Sequence, residues 1–505
     1  MLLFLLVILP FIGGILCLQS QYIDLKFPRF VALLTIFSTF IVLIKIWFEQ
    51  YYNNFLKIHI KDYWDIEFNY NLLTNLGINF HLGLDGLSYV MLILTSLLGF
   101  ISVLCSWNVK FKNQGFFYFC LMWLIGSIIG VFLSLDLFVF FCFWELVSIP
   151  MYFLILIWGF KNKKKYFFKY SINNFFIYSK ISSFFLLLGV LGLVFNYHAL
   201  TNHWSFDYNL ILNTPISWNL ECLLMFLFFI SFSIKIPIVP FHNWMVNFHT
   251  YAPISGALDI SGILLKTSIY GLLRFNICYF PISSLYFSYF FILLGLINIF
   301  YCSFLAYSQK DAKRLIAYSS IAHMGYILIS LYSMNLLSLE GLIIQVISHA
   351  FTTAALFILL GDIYFILGTR KITKLSGIWI ILNYIPAFLL FFCMANLGIP
   401  GTGNFTGEFL MLLGSYFYVP NITILVSICL IFTMIYSLKI LQSFIFGIYK
   451  NENKFIIQIG CLEKFVLFFL FILVIIIGLY PQKILDILYY SIMNIYKNFN
   501  YLTEN

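Results

Sequence analysis

The feature that most constrains this chain is a nearly unbroken succession of apolar segments, each about as long as one membrane crossing. A helix needs about 20 apolar residues to cross the hydrocarbon core of a bilayer, and about fourteen such segments occupy most of the 505 residues. Only 9% of the residues are charged, compared with roughly 25% in soluble proteins. We therefore predict an all-α polytopic membrane protein without a soluble domain that could hold a nucleotide or an iron–sulfur cluster. The predicted spans lie near residues 1–18, 29–48, 87–107, 115–133, 136–159, 171–196, 221–241, 253–275, 283–306, 313–333, 341–367, 376–418, 421–446 and 463–481.

The 28 Lys and Arg residues are distributed unevenly among the predicted loops. Loops after odd-numbered spans hold 18 of them, the other loops and the C-terminal tail hold 6, and 4 lie within spans. Positively charged loops stay on the cytoplasmic or matrix side of a membrane, so both termini are predicted to face the opposite side. This placement accounts for the net charge of +9 without nucleic acid as a partner. The Lys-rich stretch 161–169 is either a solvated surface or a contact with lipid headgroups.

Two sets of five spans share a pattern of interruptions and ionisable residues. In spans four to eight the fourth element is interrupted by Pro237 and Pro240, and in spans nine to thirteen by Pro400 and Gly401. Because five is an odd number, consecutive sets must run in opposite directions. This predicts two inverted repeats, the plan of many secondary transporters. The predicted divisions are 1–114 (three N-terminal spans), 115–275 (first repeat), 283–446 (second repeat) and 447–505 (C-terminal span and tail).

The stretch 231–275 carries Lys235 and Lys266 among apolar residues and prolines. A lysine near the bilayer centre costs between ~3 and ~10 kcal/mol or more, so such residues usually mark an ion pathway. Glu145 is a lone carboxylate in another apolar span, and a nearby cation, for which Lys235 is the candidate, would keep it ionised. The alternative is a salt bridge that only packs helices. Asp259, seven residues before Lys266, is either its partner or a polar residue at a helix end.

His323 and His349 lie on successive predicted spans, beside several Ser and Thr residues. Imidazole can relay protons through its two nitrogens, and we favour a relay over two packed core histidines. Their spacing supports no zinc ligand set. Glu408 follows the interruption at 399–404 and would open onto the side that a second half-channel reaches. Ordinary interfacial positions near span ends are expected for His81, Asp85, Asp136, His242 and His249.

Eight stretches of the sequence combine polar and apolar residues in distinctive motifs. They are HLGLDGLS (81–88), FWELVSIPMYFLI (143–155), KIPIVPFHNW (235–244), HTYAPISG (249–256), GILLKTSIYGLLRF (262–275), KRLIAYSSIAHMGY (313–326), SHAFTTAALF (348–357) and LGIPGTGNFTGEF (397–409). Together they resemble the chain 4 family of NADH–ubiquinone oxidoreductase, the proton-pumping complex I of respiratory chains. The resemblance implies that Glu145 pairs with and tunes Lys235, the proton-loading lysine. It also implies that Lys266, His323 and His349 form a relay and that Glu408 is the exit residue, where sibling antiporter-like subunits have lysine.

The expected function is therefore proton translocation in the membrane arm of complex I, driven by redox chemistry elsewhere in the complex. The implied partners are the other membrane-arm subunits, including the sibling antiporter-like subunits, and lipids. No cofactor is expected in this chain, because other parts of the complex use NADH, FMN, iron–sulfur clusters and ubiquinone. The alternatives are a monovalent cation/proton antiporter subunit and an inert structural spacer. The 61 Phe and 34 Tyr residues indicate an AT-rich genome, and the N-terminus lacks an import signal. These features predict an organelle-encoded protein of the mitochondrial inner membrane.

Overall fold

The computed structural model describes residues 1–54, 64–109, 111–160, 165–253, 260–377, 379, 382, 384–445 and 460–503. Within these ranges, twelve helices are long and apolar enough to cross a membrane. The predicted eighth and twelfth spans are not among the twelve, because each is built from shorter helical pieces. The prediction of a polytopic helical membrane protein is confirmed, and twelve of the fourteen predicted spans correspond to long apolar helices in the described part of the chain.

The N-terminal part contains a β-hairpin in the segment between the second and third predicted spans. The hairpin pairs Ile66 with Leu84 at its open end and Leu73 with Ile78 near its turn. Gly77 occupies the turn with φ +65°, and a Cβ there would lie 1.9 Å from the Trp204 carbonyl oxygen. Only glycine fits this left-handed and crowded position. The elements are α1 (Leu2–Ser20), α2 (Phe27–Asn54), β1 (Ile66–Leu73), β2 (Ile78–Leu84) and α3 (Gly86–Cys105).

The next set of helices contains the first interruption. Asp136 and Asp207 cap the N-termini of two of these helices by accepting hydrogen bonds from backbone N–H groups. The helices are α4 (Gln114–Leu133), α5 (Leu137–Trp158), α6 (Lys165–Thr201), α7 (Tyr208–Leu212), α8 (Trp218–Lys235), α9 (Asn243–Tyr251) and α10 (Leu265–Gly271), the last flanked by π-helical turns at Ile260–Leu264 and Leu272–Ile277.

The following set of helices contains the second interruption, and Asp311 and Asn335 are the N-caps of two of these helices. Its helices are α11 (Pro281–Tyr286), α12 (Ser288–Ser308), α13 (Ala312–Tyr332), α14 (Leu336–Leu367), α15 (Ile385–Asn396), α16 (Gly403–Tyr418) and α17 (Pro420–Ile445).

Two helices close the chain, α18 (Cys461–Leu479) and α19 (Gln482–Thr503). The second of them lies in the segment predicted as the C-terminal tail. Its buried residues Leu488, Ile492 and Ile495 recur at spacings of four and three, which places them on one helical face. This face packs against α3 and α14.

Both interruptions satisfy their freed backbone groups locally. At the end of α8, the Ser233 carbonyl accepts a hydrogen bond from the Ile238 N–H, and the Ile234 carbonyl accepts one from Nε1 of Trp244. Between α15 and α16, Gly398 and Gly401 adopt φ values of +80° and +93°. Such non-helical backbone is tolerated at membrane depth only against protein or a water-filled cavity.

Four helices are largely enclosed by the rest of the protein. Burial covers 94% of the most apolar window of α13, 83% of those of α3 and α4 and 72% of that of α14, but only 28% of that of α2. Polar residues on α13 and α14 are therefore enclosed by protein, whereas α2 presents most of its apolar surface outward.

Candidate functional site

Four of the predicted residues form a row through the buried centre. Nζ of Lys266 on α10 lies 3.3 Å from Nδ1 of His349 on α14. The rings of His349 and His323 have centroids 5.2 Å apart. Nδ1 of His323 on α13 lies 3.2 Å from Oε1 of Glu408 on α16. The predicted grouping of Lys266, His323, His349 and Glu408 is thus present in the structure as a row (the central row).

Further side chains hold the end of the central row near Glu408. Nε2 of Gln345 donates a hydrogen bond to Oε1 of Glu408 over 3.2 Å. A Cβ on Gly398 would lie 2.8 Å from the other carboxylate oxygen, Oε2. The interruption between α15 and α16 therefore brings backbone against the carboxylate, and glycine makes this approach possible.

Lys235 ends α8 and lies against Trp144 of α5. Its Nζ donates a hydrogen bond to the Trp144 carbonyl over 3.2 Å and lies 3.5 Å from the centroid of the indole ring. An ammonium group over the face of a tryptophan is attracted by the ring quadrupole. A cavity of about 10 Å³ beside it, lined by Ser148 and Ser179 among others, has the space of roughly one water molecule.

The predicted pairing of Glu145 with Lys235 is wrong in this structure. Oε2 of Glu145 forms an ion pair with Nζ of Lys180 on α6, and the two side chains are 22% and 42% exposed. The physical reason is helix geometry, because Trp144 and Glu145 are adjacent and project about 100° apart. Trp144 faces α8 and Lys235, whereas Glu145 turns toward α6. Of the six predicted residues, four therefore form the central row. The other two, Glu145 on α5 and Lys235 at the end of α8, lie apart from it.

His249 and Lys313 extend the row of buried ionisable groups. His249 on α9 stacks on Phe357 with ring centroids 4.7 Å apart and lies within electrostatic range of Lys266 and Lys313. Nζ of Lys313 lies 4.8 Å from the ring centroid of Phe160. Within the described ranges, neither side chain has a hydrogen-bond partner. His249, expected near a membrane interface, is fully enclosed by protein.

Three other residues expected at interfaces are buried as well. Asp85 forms an ion pair with Arg274, and both side chains are less than 8% exposed. His81 lies between two carboxylates, with Nδ1 2.6 Å from Oδ2 of Asp207 and Nε2 3.2 Å from Oε2 of Glu67. Asp136 is also fully buried, and its carboxylate joins the hairpin to α5 by accepting a hydrogen bond from a backbone N–H of β2.

The pKa values around His81 follow from burial and these contacts. Burial alone would lower the pKa of His81, but hydrogen bonds to Asp207 and Glu67 and their negative charges raise it above the usual value. Burial would raise the pKa of Asp207, but its contact with His81 holds that pKa below the usual range. Burial raises the pKa of Asp136 to about 6 against the effect of its backbone hydrogen bonds. His81, Asp136 and Asp207 therefore form one cluster of interacting charges where the hairpin meets the N-termini of α5 and α7.

The remaining candidates have no place in the central row. Nζ of Lys439 donates to the Tyr307 carbonyl at an exposed position, as a snorkelling lysine does. Asp259, a possible partner of Lys266, lies outside the described residues. Among the residues that the structure describes, no group of three His, Cys, Asp or Glu side chains could hold a metal ion.

Sequence reasoning missed Lys180, His249 and Lys313 as members of the site. The signal for Lys180 was present, because it is one of four lysines inside predicted spans. No comparable signal separated His249 or Lys313 from interfacial residues, since both lie near predicted span ends.

Comparison with known proteins agrees with this architecture. The family described as NADH:quinone oxidoreductase/Mrp antiporter, TM, matches residues 134–434. The NADH-quinone oxidoreductase subunit M of Buchnera aphidicola subsp. Acyrthosiphon pisum is 45% identical over 500 residues, which cover 99% of this chain and 98% of that protein. The NADH-ubiquinone oxidoreductase chain 4 of Marchantia polymorpha is 33% identical over 497 residues, which cover 97% of this chain and 96% of that protein.

A solved structure shares the fold over the whole chain. A chain of respiratory complex I from Thermus thermophilus with bound NADH superposes with a TM-score of 0.85 and covers 99% of this chain and 100% of that chain. The sequence identity is 24%, so this similarity concerns the fold alone.

Proposed function

This chain belongs to the NADH:quinone oxidoreductase/Mrp antiporter membrane family and, within it, to the group that contains subunit M and chain 4, and we infer that it is the corresponding proton-translocating membrane subunit of a NADH:quinone oxidoreductase. In this role the chain is a subunit of an enzyme complex, and the redox chemistry takes place in other subunits.

The central row is the single observation that carries the proposal for this chain's own residues. Buried lysine, histidine and glutamate side chains are expensive in a membrane protein, and they are found mainly along ion and proton pathways. Lys266 can donate to His349, the imidazoles can relay a proton through their two nitrogens, and His323 can pass it to Glu408. The 5.2 Å between the two ring centroids requires a reorientation or a bridging water.

We propose that Glu145 controls the proton loading of Lys235 by exchanging between Lys180 and Lys235. In the present arrangement Glu145 contacts Lys180 directly, while Lys235 contacts the Trp144 ring and carbonyl and lies within electrostatic range of Glu145. A carboxylate that moved from Lys180 to Lys235 would stabilise the ammonium form of Lys235. Its return would favour release of the proton toward Lys266. Moving a charge across the membrane costs ~2.3 kcal/mol per 100 mV, so the redox reaction must drive the cycle.

The interrupted helices complete the proposed topology. We propose that the helical turns around α10 and the α15–α16 unit also cross the membrane, and that α9 continues the crossing of α8. Together with the twelve long helices, these two further crossings would give fourteen passes in two inverted five-helix repeats. In support, both broken units meet the buried centre at an ionisable residue, Lys235 in one and Glu408 in the other.

The proposed partners are the neighbouring membrane-arm subunits, including antiporter-like siblings, and lipids. We propose that the chain itself carries no cofactor. The chain is a multi-pass membrane protein, and the mitochondrial inner membrane stays a prediction from composition. The 45% identity to the bacterial relative, against 33% to that of Marchantia polymorpha, favours a bacterial energy-converting membrane. The genomic location of the coding sequence decides between the two.

The second candidate is a subunit of a monovalent cation/proton antiporter, because the matching family includes Mrp antiporters. The near full-length identity to subunit M favours the first candidate.

The test is to reconstitute the complex with Lys235→Ala or Glu145→Ala and to measure NADH-driven quinone reduction and proton uptake into vesicles. Both should fall. Unchanged pumping would remove the proposal, and sodium-dependent exchange without NADH would support the antiporter.

A further inference from the structure

A basic cleft of about 410 Å³ lies where α12, α13 and α14 approach the end of α9. Its charged lining residues are Lys310, Arg314, Arg370 and Asp311. The loops that contain them belong to the Lys- and Arg-rich side, which the positive-inside rule assigns to the cytoplasm or matrix. We propose that this cleft binds the phosphate of an anionic phospholipid headgroup.

The cleft has a positive charge that its own carboxylate does not neutralise by direct pairing. Asp311 is the N-cap of α13, and its Oδ1 accepts hydrogen bonds from the backbone N–H groups of Lys313 and Arg314. In the described part of the chain, no carboxylate lies within 4.0 Å of the side-chain nitrogens of Lys310, Arg314 or Arg370. Burial lowers the pKa of Arg370 against the attraction of Asp311. The cleft therefore carries an excess of positive charge.

A proton inlet explains this composition poorly. Groups that collect protons are carboxylates and imidazoles, whereas fixed cations repel protons. Guanidinium and ammonium groups are the usual ligands of phosphate, and guanidinium can bind it through two N–H groups. The three cations and the single engaged carboxylate thus fit a phosphate better than a proton.

The position of the cleft favours a lipid over free phosphate. The adjoining face of α12 presents Tyr301, Phe304 and Tyr307, which are 45%, 53% and 52% exposed. Lys439 reaches the carbonyl of Tyr307 from α17. Exposed aromatic residues and snorkelling lysines mark the boundary between headgroups and acyl chains. A phosphate in the cleft would let its acyl chains lie along this apolar face, a contact that inorganic phosphate lacks.

A bound headgroup would join the two halves of the chain. Thr250 and Tyr251, at the end of the first broken unit, line the same cleft as Arg314 and Arg370. Arg370 already donates to the Thr250 carbonyl, and Arg314 lies 3.4 Å from the side-chain oxygen of Asn247. The lipid would therefore hold α9 against α13, next to the buried His249.

The test uses the assembled complex in phosphatidylcholine vesicles that contain spin-labelled phosphatidylglycerol, and it measures the immobilised fraction of the label. The first variant is Lys310→Gln with Arg314→Gln. The matched control is Lys26→Gln with Lys112→Gln, which removes two exposed cations from the same predicted side outside the cleft. Lys310→Glu serves as a second variant, because the exposed Lys310 side chain makes no hydrogen bond or ion pair within the described ranges and its replacement leaves packing intact.

We expect both cleft variants to bind the labelled lipid about tenfold more weakly, given the contribution of each basic residue near a membrane surface. The control should bind as the unmodified complex does, and excess inorganic phosphate should not compete. Equal binding by the cleft variants would overturn the proposal. Full displacement by inorganic phosphate would assign the cleft to a soluble anion, and cross-linking of Lys310 to a carboxylate of a neighbouring subunit would assign it to a protein contact. Either result also contradicts the proposal.

Discussion

Glu145 on α5 forms an ion pair with Lys180 on α6, although Lys235 contacts the adjacent residue, Trp144. One carboxylate thus lies between two lysines and contacts one of them. The arrangement makes Lys180 a participant in the charge balance around Lys235, and its contribution can be tested separately from the central row.

We expect Lys180→Gln to lower coupled quinone reduction about threefold and to leave thermal stability nearly unchanged. A partly exposed ion pair contributes only ~0–1 kcal/mol, but its loss leaves Glu145 free to hold the ammonium form of Lys235. Lys180→Arg should retain the activity. Lys169→Gln, an exposed lysine on the same helix, is the control. A Lys180→Gln complex with unchanged rates would show that Glu145 does not exchange between the two lysines.

We expect Lys266→Met to reduce coupled activity and proton uptake at least about tenfold, the scale of losing one acid–base group. Lys266 is completely buried and begins the row through its contact with His349. Lys439→Met removes an exposed lysine on another helix and should retain activity. Blue native electrophoresis establishes that each complex is assembled. Equal losses in the two variants would argue against a special role for Lys266.

Gly398→Ala should impair both stability and coupled activity, whereas Gly401→Ala should impair chiefly stability. Both glycines have positive φ, so alanine costs ~1–2 kcal/mol at either position. Only at 398 would the new Cβ lie 2.8 Å from Glu408; at 401 it would meet nothing within 4 Å. Thermal unfolding and pumping measured together distinguish the two effects. Similar activity in both variants would contradict a role for the position of Glu408.

The attachment of the hairpin should weaken as the pH rises through the raised pKa of His81. The folded state binds this proton more tightly than the unfolded state does, so its stabilisation is present below the unfolded pKa and is lost above the folded pKa. Asp207 acts oppositely and loses its contribution at acid pH, as the pH falls through its lowered pKa. Asp136 loses its contribution as the pH rises through about 6.

Hydrogen exchange of the β1 and β2 amides, corrected for the intrinsic pH dependence, measures this effect. His81→Gln should abolish the step that follows the raised pKa of His81, worth about tenfold in opening per pKa unit, and should leave the loss near pH 6 that comes from Asp136. His203→Gln, at an exposed loop position, should preserve it. A step at the pKa of His81 that persists in His81→Gln would contradict this assignment.

The central row could be predicted from the sequence because its members are conspicuous. Lys266, His323, His349 and Glu408 are rare ionisable residues in apolar spans, and each must face protein to avoid lipid. The partner of Glu145 could not be predicted, because the choice between Lys180 and Lys235 depends on how α5 is rotated about its axis. A shift of one residue turns a side chain by about 100°, and apolar runs on all sides of α5 do not fix that rotation.

The hairpin and the C-terminal helix escaped prediction for a different reason. Strand formation at residues 66–84 depends on contacts with α5, α7 and the Trp204 carbonyl, and local propensity is weak evidence for such a half-exposed strand. In α19 the buried positions 488, 492 and 495 have helical spacing, but an amphipathic helix has too few consecutive apolar residues to register as a span. In both cases tertiary contacts determine the secondary structure, and the local sequence alone does not indicate it.

The most direct test of the account is NADH-driven proton uptake by vesicles that contain the complex with His349→Leu, compared with His203→Leu. His349 contacts Lys266 and lies beside His323, so leucine interrupts the central row without adding or removing a fixed lysine or carboxylate charge. The account predicts that quinone reduction and proton uptake fall together at least about tenfold in assembled His349→Leu complex, while the His203→Leu complex pumps normally. Normal pumping by assembled His349→Leu complex would contradict the claim that protons pass along this row.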